Sequence, residues 1–160
     1  MTFEDLGLEP STLKAVAESG YTEPTPIQEK AIPIALMGRD VMGIAQTGTG
    51  KTAGFTLPMI DILSSGRSKA RMPRALILCP TRELAAQAAD NFTNYSKYSD
   101  LSMALIIGGT SFTDQEKALN RTCDVLIATP GRLLDLFERG KILLNDVKYF
   151  VIDEADRMLD

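Results

Sequence analysis

The sequence contains no histidine and only two cysteines among its 160 residues. Without histidine, and without any Cys-x-x-Cys pair, there is no ligand set at zinc spacing, which rules against a zinc site. Cys79 and Cys123 lie far apart inside apolar runs. They read as small buried hydrophobes of a reducing compartment rather than as a disulfide. No apolar run approaches the roughly 18 residues that a membrane-spanning helix needs, so no membrane partner is expected. The start, Met1-Thr2-Phe3-Glu4-Asp5, lacks the basic and apolar regions of a secretory leader. A cytoplasmic enzyme domain is the expectation.

Positive charge is also scarce. Seventeen basic residues face 21 acidic ones, for a net charge of −4. That counts against a protein that binds nucleic acid by bulk electrostatics. Any nucleic acid must be held by local groups: loop arginines, backbone amides and helix N-termini. The densest basic stretch is Arg67, Lys69, Arg71 and Arg74, after Ser64-Ser65-Gly66. It reads as a solvated loop in preference to a binding patch.

What is present is an ordinary globular balance, 44% hydrophobic and 24% charged, with length enough for one domain and a sizeable core. Five short runs, at 41–45, 75–79, 103–107, 124–128 and 149–152, are near-continuously apolar. That is the pattern of buried strands in a parallel sheet covered on both faces. Helical stretches separate them. Residues 82–98 place Leu84, Ala88, Phe92 and Tyr95 on one face, and residues 130–139 start with a Thr129 cap and Pro130 and stop at Gly140. The fold class is α/β, a parallel sheet sandwiched by helices. Two helices precede the first strand. One follows Pro10-Ser11 and ends near Gly20; the other starts at Thr25-Pro26, ends near Gly38 and should be kinked by Pro33. Residues 1–38 thus form a helical extension to an α/β unit at 39–160.

Ala45-Gln46-Thr47-Gly48-Thr49-Gly50-Lys51-Thr52 follows a predicted strand and opens a helix, the context of a phosphate-binding loop. Gly48 and Gly50 let successive amides turn inward around phosphate oxygens, and the helix N-terminus adds partial positive charge. Lys51 should reach the β- and γ-phosphates and the Thr52 hydroxyl should hold Mg²⁺. Ala45 stands where the general pattern has its first glycine. Asp153-Glu154-Ala155-Asp156 follows the apolar run at 149–152, at a strand tip where α/β folds place ligand chemistry. Asp153 suits a Mg²⁺ holder acting through water, and Glu154 a general base for the attacking water.

The quartet, the loop from Ala45 to Thr52, Pro80-Thr81-Arg82-Glu83-Leu84 and Thr129-Pro130-Gly131-Arg132 together resemble the DEAD-box family of ATP-dependent RNA helicases. Their order and spacing match that family's first motor domain over essentially the whole chain. The resemblance implies a RecA-like P-loop NTPase domain that uses ATP and Mg²⁺. Gly20-Tyr21-Thr22-Glu23-Pro24-Thr25-Pro26-Ile27-Gln28 is similar to the family's Q motif, with Phe3 as its upstream aromatic. This implies adenine contact by Gln28, with Phe3 and Tyr21 beside the nucleotide. On local grounds Thr25 to Gln28 is equally a capping box, and Phe3 a core plug. The resemblance also implies an RNA strand held by its backbone at Pro80, Thr81, Arg82, Gly108, Gly109, Thr129, Pro130, Gly131 and Arg132. Arg82 with Glu83, and Arg132 with Asp135, remain alternative ion pairs.

The sequence stops four residues after the quartet. The family's first domain continues with a Ser-Ala-Thr segment on a strand between those of the phosphate loop and the quartet, and a second RecA-like domain in cis completes the ATP site. The chain is therefore expected to be truncated, and alone neither to unwind RNA nor to hydrolyse ATP efficiently. The implied function is RNA-stimulated ATP hydrolysis coupled to local duplex unwinding. An ATP-gated RNA clamp without unwinding uses the same residues. A GTPase is disfavoured because no Asn-Lys-x-Asp run occurs; a DNA translocase is disfavoured by the resemblance alone.

Overall fold

The computed structural model describes residues 2–36, 51–64, 73–109, 123–140, 142, 144 and 147–152, except the side chains of 27, 34 and 51–53. The strand expected at 41–45, the phosphate loop up to Gly50, the bases Arg67, Lys69 and Arg71, and the acidic quartet lie outside the described residues.

The chain divides into two compact units, Met1–Gly66 with Asp90–Asp100, and Arg67–Ala89 with Leu101–Asp160. In the first, a 3-10 turn at Phe3–Leu6 precedes helices α1 (Pro10–Glu18), α2 (Pro26–Leu36) and α3 (Lys51–Ser64). Proline at the first position starts α1, because its missing N–H would be unbonded there in any case. Gly20 stops it: with φ +88 it takes the left-handed conformation that lets the Tyr21 N–H turn back to the Val16 carbonyl, at 3.3 Å. Pro33 lies inside α2 and Pro58 inside α3, and both helices continue past them. Helix α3 therefore groups with α1 and α2, against both of which it packs.

The second unit holds strands β1 (Ala75–Leu78), β2 (Met103–Ile106), β3 (Val125–Ala128) and β4 (Tyr149–Ile152), in the order β2-β3-β1-β4 and all parallel. Helix α4 (Arg82–Tyr95) follows β1, and α5 (Pro130–Glu138) follows β3. Alternation divides the strand side chains between the faces. One face, with Leu76, Ala104, Ile106, Leu126 and Ala128, packs with Leu133 and Leu136 of α5 and with Cys123. The other face, with Ala75, Ile77, Val125 and Ile127, is buried as well. The three strands β1, β2 and β3 thus sit in a sandwich. Strand β4 departs from the expected burial: Phe150 is 51% and Ile152 43% exposed. It pairs only with β1 among the described residues, so it has an edge position there.

Both cysteines are free and buried. Burial pushes the Cys123 thiol up to about 11, so it stays neutral and behaves as an apolar filler. Arg74 corrects a sequence reading. It is not in a solvated loop; its guanidinium donates to Asp124 at 2.9 Å, and Asp124 also accepts from the Ser102 amide at 2.9 Å. This polar staple joins the N-terminal ends of β1, β3 and β2 and sets their mutual register. Strand β3 begins at Val125, one residue later than expected, with the Asp124 backbone still bonded to Ser102, Arg74 and Ala75. Among the described residues, no helix is long and apolar enough to cross a membrane.

Candidate functional site

Three neighbouring strands, β2, β3 and β1, end together, and the chain leaves each in a different way. Past their ends the ladder adds two more bonds: the Cys79 N–H donates to the Ala128 carbonyl at 2.9 Å, and the Thr129 N–H to the Ile106 carbonyl at 3.1 Å. Beyond β1, Pro80 and Thr81 lead into α4. Beyond β2 comes the turn at Gly108 and Gly109, and beyond β3 Thr129 leads into α5. Pro80, Thr81, Arg82, Gly108, Thr129, Arg132 and Asp135 line one open cleft of about 400 Å³ there. Parallel sheets characteristically place ligands at this end, where helix N-termini converge.

Each wall has a local cause. The Thr81 hydroxyl caps α4, accepting the Leu84 N–H at 3.2 Å, and its own hydrogen remains to donate to a ligand oxygen. Arg82 is exposed and donates to the Gly108 carbonyl at 3.4 Å. It makes no ion pair with Glu83 among the described residues. Gly109 has φ +86, and a Cβ on it would come within 2.5 Å of Arg82 Nη1. Any larger residue would be strained and would push the guanidinium aside, so glycine keeps the arginine where it is. Thr129 occupies the N-cap position of α5 with extended backbone, φ −89 and ψ 147, yet its side chain makes no cap bond. The expected side-chain cap is thus replaced by a hydroxyl that lines the cleft. Gly131 lies in the first turn of α5, and Asp135 gives the cleft one acidic wall. The charge is mixed: two arginines and one carboxylate.

In the first unit, α3 is Lys51–Ser64, and Lys51 is the residue that follows Gly50 in the sequence. Gly54 lies where α2 crosses α3: a Cβ there would stand 3.9 Å from the Gln28 backbone and the Ala31 methyl. Gln28 is wholly buried and forms the capping box, its Oε1 accepting the Thr25 N–H at 2.9 Å and its own N–H reaching the Thr25 hydroxyl at 3.4 Å. Phe3 is 4% exposed, within the core of its unit. Tyr21 is 40% exposed, its ring 6.1 Å from that of Tyr95. Among the described residues no group of three His, Cys, Asp or Glu could hold a metal. The Thr52 hydroxyl and Asp153, named for Mg²⁺ from the sequence, lie outside the described side chains.

Residues 25–160 match the family of DEAD/DEAH box helicases. The chain belongs to that family. A DEAD-box ATP-dependent RNA helicase of rice, Oryza sativa subsp. japonica, is 47% identical over 99% of the chain. A probable ATP-dependent RNA helicase of Dictyostelium discoideum is 49% identical over 99% of it. The crystal structure of the RNA helicase Prp28 from Chaetomium thermophilum, bound to ADP, superposes with a TM-score of 0.93 at 43% identity over 99% of the chain. The chain spans 28% and 20% of the two relatives' lengths and 39% of the crystallised chain. The parallel sheet with its helices is accordingly the α/β fold of a DEAD/DEAH box helicase domain.

Two features of this DEAD/DEAH box chain were not picked out from its sequence. Asp135 on the cleft was weighed only as a partner of Arg132. Gly54 gave no signal, because a glycine inside a helix reads as a weak helix former until the crossing helix is seen.

Proposed function

We propose that the protein carrying this chain is an ATP-dependent RNA helicase, in which RNA-stimulated ATP hydrolysis opens short duplexes. The observation that carries the reading is the cleft. Six of the residues singled out for RNA from the sequence, Pro80, Thr81, Arg82, Gly108, Thr129 and Arg132, line it together. Hydroxyls, helix N-termini and arginines facing one groove are the donors that a sugar-phosphate strand needs. None of them carries a base-reading pattern, so the grip is indifferent to sequence.

ATP occupies the start of α3. The amides of Gln46 to Gly50 and the Lys51 ammonium hold its phosphates, and Gln28 reads the adenine edge with Tyr21 and Phe3 beside the base. Thr52 and Asp153 are hard oxygen donors of the kind that suit Mg²⁺, which neutralises developing phosphate charge when bound. Glu154 takes a proton from the attacking water. A second RecA-like domain in cis completes the site, so that ATP binding closes both domains on one RNA strand.

Replacing Arg82 or Arg132 by alanine in the full-length protein should weaken RNA binding by roughly 10- to 100-fold, the value of a charge-assisted hydrogen bond. The loss should be equal across RNA sequences, with the salt dependence lowered by about one charge and ATP affinity unchanged. RNA titrations at several salt concentrations check this. A loss confined to some sequences would mean that the cleft reads bases.

A further inference from the structure

The first unit contains a buried carboxylate that neither the ATP nor the RNA reading uses. Asp61 lies on α3, ten residues beyond Lys51, and is 7% exposed. It is the one buried charged side chain of its unit among the described residues. Its Oδ2 accepts the backbone N–H of Glu9 at 2.8 Å, and its Oδ1 accepts the hydroxyl of Thr12, itself buried. Glu9 is the N-cap residue of α1, and its own side chain makes no cap bond. The cap of α1 is therefore supplied by α3, from 52 residues further along the chain. Burial raises the Asp61 carboxyl above its ordinary value, and the two hydrogen bonds act against that rise. A charge kept in such a place has a geometric task, since an apolar residue would pack there at less cost.

The task follows from what α1 carries. Through Leu8, buried, α1 leads back to the 3-10 turn at Phe3–Leu6, which packs on α2. Helix α2 in turn lies on α3, with Gln28 over Gly54. Helices α1 and α2 both pack on α3, and α1 is tied to it through Asp61.

We propose that Asp61 is a positioning residue for the base half of the ATP site: by tying Glu9 and Thr12 to the helix that begins at Lys51, it sets where the adenine-contacting extension stands relative to the triphosphate. The proposal rests on the reading of Gln28 and Phe3 as adenine neighbours.

The test uses the full-length protein with Asp61→Leu combined with Thr12→Val. Removing both side chains together leaves only the Glu9 N–H without its acceptor, and a parental melting temperature is the control for folding. ATP affinity should fall about fivefold, the equivalent of a lost helix cap, with KM raised and kcat unchanged. Affinity for magnesium tripolyphosphate, which has no base, should not change. Asp61→Asn can still accept from Glu9 and bond Thr12, and should bind ATP as the parent does. Parental ATP affinity in the double variant, or equal loss of ATP and tripolyphosphate, would overturn the proposal. Gln28→Glu separates the underlying reading: it keeps the oxygen that caps Thr25 and loses the amide donor. If Gln28→Glu binds ATP like the parent, the adenine reading falls and the proposal with it. If Gln28→Glu weakens ATP and the double variant does not, the tie through Asp61 alone is refuted.

Discussion

With Glu154 replaced by glutamine, ATP should still bind but turnover should fall by roughly 10²- to 10⁴-fold, the range expected for removal of a general base. Glutamine has the shape of glutamate and can still hydrogen-bond a water. It cannot take the proton that water must lose as it attacks phosphorus. In the sequence Glu154 follows the last residue of β4, Ile152, by two positions, and β4 runs parallel to β1. Removing one charge from the acidic run should not weaken the hold on the phosphates, which is proposed to rest on Lys51 and the loop amides. Nucleotide titration and steady-state hydrolysis, measured on the same full-length preparation, separate the two effects. Parental turnover in Glu154→Gln would place the base elsewhere.

Lys51→Ala should give the complementary result: ATP affinity lower by roughly 10- to 150-fold, as for loss of a charge-assisted bond of about 1.5–3 kcal/mol. Lys51 is the first described residue of α3, and a lysine near a helix N-terminus adds its charge to an end where the dipole already favours an anion. Alanine is a better helix former than lysine, so α3 should persist and the loss should not come from unfolding. An unchanged melting temperature without nucleotide is the control. Stabilisation of the parent by ATP, and its absence in Lys51→Ala, is the simplest readout. If both variants bind and hydrolyse ATP like the parent, the site assignment fails.

Much of the second unit was legible in the sequence, because its signals are local. Apolar runs located β1, β2, β3 and β4 to within a residue at each end. Pro130 and Gly140 bounded α5, and Gly20 bounded α1. The members of the cleft were found through motifs, and they converge because their strands are neighbours in the sheet.

What stayed hidden depends on partners far along the chain. Arg74 reads as one more base in a polar stretch until Asp124, 50 residues away, is seen to accept its hydrogen bond. Asp61 reads as a lone acid in an apolar helix until Glu9 and Thr12 are placed on it. Gln28 had two readings, cap and base contact. The cap is formed, and the base contact is the one of the two that rests on the family resemblance. Thr129 shows the limit of a local rule: a threonine ahead of proline looks like a cap, and here its hydroxyl faces a cleft instead. Phe150 and Ile152 look like core residues by composition, yet exposure depends on which strands pair beside β4.

The most direct measurement is ATP hydrolysis by the full-length protein in the presence of single-stranded RNA or of DNA with the same sequence. The account predicts that RNA of unrelated sequences raises ATP turnover alike, while DNA does not, because the 2′-hydroxyl distinguishes the two backbones. Equal stimulation by DNA, or turnover indifferent to any nucleic acid, would contradict it.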